Sequence, residues 1–367
     1  IVFIKVEQLL GVELKCTGSK VLVPKHPGKA PMRWLRRLRD DGTVTHAWVD
    51  SRGRTHALEP QDVRRTLLEA LPAAGRGWLH LVGDSLDVRS ILQGLVDLAV
   101  TPELQVVCFE GGKPVQLPPD QRYCNEGEGF TAGLKATGPE GTVYVWGDKL
   151  ILSFVPANTL RPTDNLDQPA NCSAGNATGT LTYAVCGSAR VHAYVRERFG
   201  LTAPDLLVFN VGLHYVAHMF AYVGMGPNVT AARAVTTAQQ TYARMLDWLQ
   251  ANLAARVAGP NTRMAVRSTS ATQFIPPRLS PRWQCRSVQR VALLNDMAYQ
   301  LAAKRGLRVL DMYAATRARA DATLDNRHYD TTNSNVPLAL IVELAELLAD
   351  EDADESSSEK SVVIEDY

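Results

Sequence analysis

The sequence contains no apolar run long enough to form a transmembrane helix, which takes about 20 residues. It also contains no internal repeat and, although it has six cysteines, no two of them stand close together. Zinc sites built from cysteine normally use such close pairs. We therefore predict neither a membrane span within these residues nor a bound metal.

A strong charge of either sign is missing from most of the chain. The formal net charge is +1 over 367 residues, and basic residues do not alternate with aromatic ones. This composition gives no support to nucleic-acid binding, so we predict no nucleic-acid partner. The exception is segment 350–367, whose eight acidic residues and one lysine leave 38 basic and 30 acidic residues, a net +8, before it. We predict a disordered acidic tail there, with docking on a basic partner as the alternative.

The remaining chain is long enough for one large domain or two small ones, since 46% of its residues are hydrophobic. Residues 1–75 read as an irregular N-terminal extension packed on the main domain, with a helical pattern over 60–71. The basic run 33–39 suits a solvated helix face or, alternatively, the attraction of an anionic polymer.

Between residues 76 and 349, short apolar runs alternate with helical patterns. The helical patterns include 230–257, 285–304 and 337–348, and the apolar runs include "WLHLVG", "LQVVCFE", "LILSFV", "DLLVFN", "RMAVR" and "LRVLDMY". This alternation predicts an α/β domain of three layers, with a central, mostly parallel sheet between two layers of helices. In such domains the functional side chains lie at the carboxyl ends of the strands.

The first of these runs ends in Gly83, Asp84 and Ser85. A strand end that exposes one serine is a common way to present a nucleophile, although the same residues can simply cap the following helix. A serine nucleophile needs a histidine base, an acid that orients the base, and donors for the oxyanion.

A histidine and an acid stand near the carboxyl-terminal end, in "ATLDNRHYD". Asp325 and His328 are three residues apart in a connection that follows a strand-like run. On a tight loop, the carboxylate can fix the tautomer of the imidazole while the second ring nitrogen faces the serine. Ser85, Asp325 and His328 are therefore the predicted catalytic residues.

These motifs resemble a known group of enzymes. The Gly-Asp-Ser after the first sheet strand and the Asp-x-x-His before the last helix resemble the SGNH (GDSL-type) hydrolase superfamily, whose domain is flavodoxin-like. The Asp-x-x-His form resembles its PC-esterase branch, which includes trichome-birefringence-like O-acetyltransferases, sialic-acid O-acetyltransferase-like proteins and neurexophilin-and-PC-esterase proteins. The runs "DLLVFNVGLHY" and "MAVRSTSATQF" are similar to two further blocks of that branch, so the resemblance covers residues 77–348.

The resemblance implies a role for each matched residue. It makes Ser85 the nucleophile, His328 the general base and Asp325 the acid that orients the base. Asn210 would bind the oxyanion together with the backbone amide of Ser85.

The sequence departs from the branch at two points. The "TQF" that follows Ser270 has no histidine where the branch has one, and no glycine clearly matches its second block. Gly133 and Gly147 are both candidates for that block, so the second oxyanion donor stays unassigned.

Five residues beside the motifs are candidates for the substrate pocket, and three of them also have a structural interpretation. His214 fits a core or rim histidine equally well, Arg89 a residue on a helix surface, and Arg267 an ion pair at a strand end. The five are Asp84, Arg89, Gly212, His214 and Arg267.

Three N-glycosylation sequons begin at Asn171, Asn176 and Asn228, in stretches that read as polar loops. With an even number of cysteines, they favour the lumen of the secretory pathway, such as the Golgi, or the cell exterior, where disulfides persist. The alternative is a cytosolic protein with six free thiols. We expect the N-terminal signal or anchor for that route to lie outside this sequence, which begins at Ile1.

The predicted function is that of a serine acyl-enzyme. It would transfer or hydrolyse O-acyl groups, with acetyl expected, on carbohydrate or glycoprotein substrates, and it would need an acyl donor if it is a transferase. This chemistry requires no cofactor. The rival interpretation is a non-catalytic glycoprotein whose SGNH-type fold serves as a structural or binding module.

Overall fold

The computed structural model describes most of the chain between residues 32 and 349. The described residues are 32–38, 44–50, 52–72, 76–84, 87–98, 104–110, 112–121, 124, 141–157, 166–172, 180–212, 215, 231–272, 288–323, 329 and 334–349. Their strands are β1 (Arg33–Leu38), β2 (Val44–Val49), β3 (Thr55–Ala57), β4 (Gly77–Gly83), β5 (Leu104–Glu110), β6 (Lys113–Gln116), β7 (Gly141–Trp146), β8 (Leu150–Pro156), β9 (Leu206–Phe209), β10 (Arg263–Arg267) and β11 (Arg308–Leu310). The predicted acidic tail lies outside the described residues.

Eight of these strands form the central sheet, in the order β11-β10-β9-β4-β8-β7-β5-β6. The first five strands in this order are parallel to one another. In chain order these five parallel strands are β4, β8, β9, β10 and β11. When they are numbered 1 to 5 in that order, they lie side by side as 2-1-3-4-5, which is the flavodoxin-like order. The remaining three strands extend the sheet through antiparallel pairs.

The central strands are parallel and buried on both faces, and their composition explains why. Every residue of β4 and β9 is buried, and both strands are rich in Leu, Val and aromatic side chains. A strand covered on both faces reads as a continuous apolar run rather than as an alternating one. This is why the pattern was readable from the sequence.

Helices cover both faces of the sheet. One face packs against α1 (Pro60–Ala70), α2 (Gln93–Leu98), which continues a π-helical turn over Asp87–Leu92, α6 (Met312–Arg317) and α7 (Val336–Leu348). The other face packs against α3 (Thr180–Phe199), α4 (Ala231–Arg256) and α5 (Val288–Arg305). The predicted three-layer α/β/α fold with a mostly parallel central sheet is therefore confirmed.

The strands β1, β2 and β3 form a separate antiparallel sheet in the predicted N-terminal extension. The basic run at its start is strand β1 and not a solvated helix face. Trp34 in β1 donates a hydrogen bond to the carbonyl of Ala315 in α6 over 2.8 Å. Trp48 in β2 donates to the carboxylate of Glu343 in α7 over 2.6 Å. The small sheet is thus anchored on α6 by the half-buried indole of Trp34 and on α7 by the buried indole of Trp48.

Two disulfides lie at the far side of the sheet and at the start of α3. Cys108 in β5 bonds to Cys124, and Cys172 bonds to Cys186 in α3. The other two cysteines, Cys16 and Cys285, lie outside the described residues. Among the helices that the structure describes, none combines the length and the apolar character needed to cross a bilayer.

Candidate active site

The carboxyl ends of β4 and β9 lie side by side at the point where the strand order reverses. Asp84 directly follows β4, and Asn210 directly follows β9, which pairs with β4 in parallel register. Flavodoxin-like sheets bind their ligands at this switch point, because the connections leave the two strands on opposite faces and open a crevice between them. The sheet order therefore brings two of the predicted site residues to the same edge.

A buried ion pair ties the end of β4 to the end of β10. Nη2 of Arg267 lies 3.3 Å from Oδ1 of Asp84, and both side chains are completely buried. Arg267 also donates through Nη1 to the carbonyl of Ser268 over 3.0 Å. Because β9 lies between the two strands, this contact reaches across the carboxyl end of β9. Of the two interpretations of Arg267, the structure contains the ion pair at a strand end.

The side-chain amide of Asn210 is fixed at both of its ends. Its Nδ2 donates to the carbonyl of Arg267, and its Oδ1 accepts a hydrogen bond from the backbone N–H of Gly212. An asparagine amide carries two N–H donors, so one of them is committed to Arg267. Asn210 is fully buried, and its orientation is set by the backbone around it.

Gly212 lies where no side chain fits. A Cβ on this residue would overlap with Oγ1 of Thr269 and would lie 2.9 Å from Oδ1 of Asn210. A glycine allows this close approach of backbone to side chain. Its structural role is to let the turn after β9 close onto the strand-end segment after β10.

The segment that follows β10, Ser268 to Thr272, is buried, and side chains in or next to neighbouring helices bond to three of its residues. Ser268 donates to Asp311, the residue before α6, over 2.8 Å. Asn295 of α5 both donates to the carbonyl of Thr269 and accepts from its N–H. Buried backbone groups outside a sheet need partners of this kind. The extended segment therefore forms a rigid wall beside the crevice.

Tyr329 links this wall to the stretch that carries the predicted acid and base. Its hydroxyl donates to the carbonyl of Ala271 over 3.0 Å, and its side chain is completely buried. Tyr329 is the residue that follows His328 in the sequence. The contact places this point of the chain next to the end of β10.

The predicted nucleophile, acid and base are not themselves described. Ser85, Asp325, His328 and His214 lie outside the described residues, as does the side chain of Arg89. The structure brings together Asp84, which precedes Ser85, Asn210 and Gly212, which precede His214, and Arg267 at the end of β10. The triad therefore remains a prediction.

A second pair of serine and histidine was missed by the sequence reasoning. His80 in β4 and Ser153 in β8 are completely buried, with Nδ1 and Oγ 2.6 Å apart. Trp78 donates its indole N–H to the same oxygen over 2.8 Å. Burial lowers the pKa of His80 to about 3, and the charge of His192 acts in the same direction. No substrate reaches this pair in the core, so we assign it a structural role.

The hydroxyl of Tyr242 lies in the same interior region as the switch point. Burial raises the pKa of Tyr242, and the nearby positive charge of Arg267 opposes that shift. Its ring stacks on Tyr215 with centroids 5.4 Å apart. Tyr242 therefore stays a neutral phenol near the ends of β4 and β10.

A cluster of possible metal ligands occurs elsewhere, where the N-terminal sheet contacts α7. Asp50, His56 and Glu346 offer ligand atoms within 4.8 Å of one another. Arg52 lies 3.0 Å from Glu346, and Arg54 contacts both carboxylates. Burial alone would raise the pKa of Asp50, but hydrogen bonds from His56 and Arg54 lower it to about 2. Two guanidinium groups already neutralise the carboxylates, so the cluster is an ion-pair network and does not fit a cation.

The acceptor asparagine of one of the three sequons falls within the described residues. Asn171 is exposed and precedes the disulfide-bonded Cys172. Asn176 and Asn228 lie outside them. The two disulfides are consistent with a secreted or lumenal protein.

No model of a protein family matches the chain, and no curated protein matches it. Solved structures with a similar fold include the aryl esterase of M. smegmatis, at 16% identity and a TM-score of 0.36 over 74% of this chain and 97% of that one. A carbohydrate acetylesterase from Sinorhizobium meliloti is 13% identical, with a TM-score of 0.37 over 74% and 97%. A lipase/acylhydrolase from Enterococcus faecalis is 15% identical, with a TM-score of 0.33 over 74% and 96%. At these TM-scores the likeness carries no conclusion about the activity of this chain.

Proposed function

We propose that this protein is a serine acyl-enzyme of the SGNH type. One observation carries the proposal: the crevice between β4 and β9 is the ligand-binding position of a flavodoxin-like sheet, and Ser85 is the next residue after the buried Asp84 that Arg267 holds there. The resemblance of the sequence motifs supports the same assignment.

The proposed reaction has two steps. In the first, the hydroxyl of Ser85 attacks the carbonyl carbon of an ester while His328 accepts the hydroxyl proton. The tetrahedral intermediate then collapses, His328 returns the proton to the departing alcohol oxygen, and an acyl-serine remains. In the second step, His328 removes a proton from water or from a sugar hydroxyl, whose oxygen attacks the acyl carbon. The bond from that carbon to Oγ of Ser85 then breaks, His328 returns the proton to Oγ, and the acyl group leaves on the acceptor oxygen.

Asp325 and Asn210 have supporting roles in this scheme. Asp325 would hold the tautomer of His328 and stabilise the imidazolium that forms in each step. Asn210 has one amide N–H committed to Arg267, so its second N–H would bind the oxyanion together with the backbone amide of Ser85. Losing one such donor costs roughly 100- to 1,000-fold in kcat in other enzymes.

The substrate class follows from the PC-esterase resemblance. O-acetylated carbohydrates or glycoproteins are the proposed substrates, and the lumen of the secretory pathway, such as the Golgi, or the cell exterior is the proposed location. Whether the acyl group passes to water or to a sugar depends on which acceptor reaches the acyl-serine, because the same three residues serve both reactions.

A fluorophosphonate probe tests the proposal directly, because it phosphonylates only an activated serine. We expect the wild-type protein to be labelled and the modified peptide, identified by mass spectrometry, to contain Ser85. The variant Ser85→Ala should lose the label, and Asp325→Asn and His328→Ala should lower the labelling rate by at least about 100-fold.

Ser90 is a matched control, because it is a buried serine of the neighbouring π-helical turn. Its replacement by alanine should leave labelling unchanged. An unlabelled wild-type protein that melts cooperatively would overturn the proposal. The non-catalytic module, which the missing histidine of "TQF" favours, would then be the better interpretation.

A further inference from the structure

One arginine joins the two ends of the stretch that carries the predicted acid and base. Arg319 follows α6 and is 6% exposed. Its Nε and Nη2 each donate to the carboxylate of Asp321 over 3.0 Å. Its Nη1 donates to Oδ1 of Asn335 over 2.8 Å. Asp321 stands before Asp325 and His328 in the sequence, and Asn335 stands after them.

A tryptophan of the N-terminal sheet packs against this arginine. The guanidinium of Arg319 lies over the ring of Trp34 in β1, 4.6 Å from its centroid. Trp34 is itself fixed by its hydrogen bond to Ala315 and by an edge contact with Trp48, whose ring centroid is 5.1 Å away. A planar guanidinium suits this site because it can stack on the ring and donate in its own plane to two acceptors.

A third contact fixes the middle of the same stretch. Tyr329 donates to the carbonyl of Ala271, in the rigid wall that follows β10. The stretch is therefore tied at its beginning by Asp321, in its middle by Tyr329 and at its end by Asn335. These contacts fix described residues on both sides of Asp325 and His328, and ordering each such residue costs conformational entropy that the contacts must offset.

We propose that Arg319, held by Trp34, is a positioning residue for His328 and Asp325. The inference rests on the proposed function, and it makes the N-terminal sheet a part of the catalytic unit rather than an appendage. General-base catalysis depends on hydrogen-bond geometry between base and nucleophile, and a displacement of about 1 Å can cost roughly 100-fold in rate. Loss of the tie should therefore lower kcat more than it raises KM.

Asn335 offers the sharpest test, because its side chain makes no capping hydrogen bond at the start of α7. Asn335→Ala removes the acceptor of Arg319 without removing a cap, whereas Asn335→Asp keeps an acceptor oxygen. With p-nitrophenyl acetate as substrate, we expect kcat to fall roughly 10- to 100-fold in Asn335→Ala and in Arg319→Lys, with KM changed by less than about threefold. Asn335→Asp should restore kcat to near the wild-type value.

The pH dependence of kcat/KM separates positioning from general damage to the fold. We expect the acid limb of the profile, which reports the base, to shift in Asn335→Ala and to return in Asn335→Asp. The matched control is Arg305→Lys, the same change at an exposed ion pair with Asp247 on the other face of the sheet. It should leave the kinetic parameters and the profile unchanged.

The outcomes separate the two proposals. An active wild-type protein whose Asn335→Ala and Arg319→Lys variants match the Arg305→Lys control would overturn the inference and leave the proposed function intact. A folded wild-type protein that neither turns over the ester nor reacts with the fluorophosphonate would overturn both. If Arg319→Lys fails to melt cooperatively, the pair of Asn335 variants decides alone.

Discussion

At the residue scale, the most unusual group in the structure is a histidine inside the central strand. Nδ1 of His80 shares a hydrogen bond with Oγ of Ser153, and that oxygen accepts a second hydrogen bond from the indole of Trp78. A histidine in this position must stay neutral, because protonation would bury a charge without a counterion. Its pKa of about 3 expresses that cost.

This histidine should make the stability of the protein depend on pH. Its pKa is lower in the folded protein than in the unfolded chain, where it has the ordinary histidine value of 6.5. The unfolded state therefore binds more protons between these values, and the stabilisation is complete above pH 6.5 and is lost as the pH falls towards the folded pKa. We expect the wild-type free energy of unfolding to fall by on the order of 2 kcal/mol more than that of His80→Gln between about pH 6.5 and pH 4.5.

Urea unfolding at a series of pH values measures this difference. Both proteins carry the same carboxylates, so the difference between their slopes isolates His80. Equal slopes for the two proteins would show that His80 titrates normally and would contradict its buried, neutral state.

At the element scale, the contact between β4 and β10 decides how firmly the crevice is held. Arg267 and Asp84 are both completely buried, so removing one partner leaves an uncompensated charge in the core. We expect Arg267→Met to lower the free energy of unfolding by about 3 to 5 kcal/mol. The double variant Arg267→Met with Asp84→Asn should recover a large part of that loss, because it also removes the orphaned charge.

Chemical denaturation of the two variants measures both effects. The matched control is Arg244→Met, since Arg244 pairs with Asp167 at 2.7 Å on the surface, with both side chains largely exposed. Exposed pairs contribute at most about 1 kcal/mol. A change of similar size in Arg267→Met and Arg244→Met would show that the buried pair does not hold the strand ends together.

Some elements were predictable from the sequence and others were not. β4 was predictable because seven consecutive buried residues give an uninterrupted apolar run. β1 was not, because its arginines resemble a solvated helix face, and the inward direction of Trp34 depends on Ala315, 281 residues away. The antiparallel extension by β7, β5 and β6 was also unpredictable, since alternating strands and helices carry no information about strand direction.

The same reasoning applies to the candidate site. The sequence predicted that Asp84, Asn210 and Arg267 lie at strand ends, and the parallel register brings those ends to one edge. It could not predict that Arg267 reaches across β9 to Asp84, because that contact depends on strand order. The pair of His80 and Ser153 was invisible for a similar reason: it arises from the register between β4 and β8.

At the scale of the whole molecule, the disulfides and the sequon together predict that the protein is made in an oxidising compartment. Peptide mapping of the protein from its native source, under non-reducing conditions, should find Cys108 linked to Cys124, Cys172 linked to Cys186, and glycan on Asn171. Each disulfide closes a short loop, so its reduction should lower the free energy of unfolding by about 3 kcal/mol.

A preparation with free thiols at these four positions and an unmodified Asn171 would contradict this origin. The control for the stability measurement is the double variant Cys108→Ala with Cys124→Ala, which keeps only one of the two disulfides. A reductant should lower its free energy of unfolding by about half as much as it does in the wild-type protein. Mapping also reports the state of Cys16 and Cys285 in the same experiment.

The anchoring of the N-terminal sheet on the last helix has a consequence for synthesis on the ribosome. Trp48 finds its partner Glu343 only after 295 further residues have been translated. At about 5 to 20 residues per second, that takes roughly 15 to 60 seconds. During this time the indole of Trp48 lacks its hydrogen-bond acceptor, and the contact between the small sheet and α7 forms only after the ribosome has released α7.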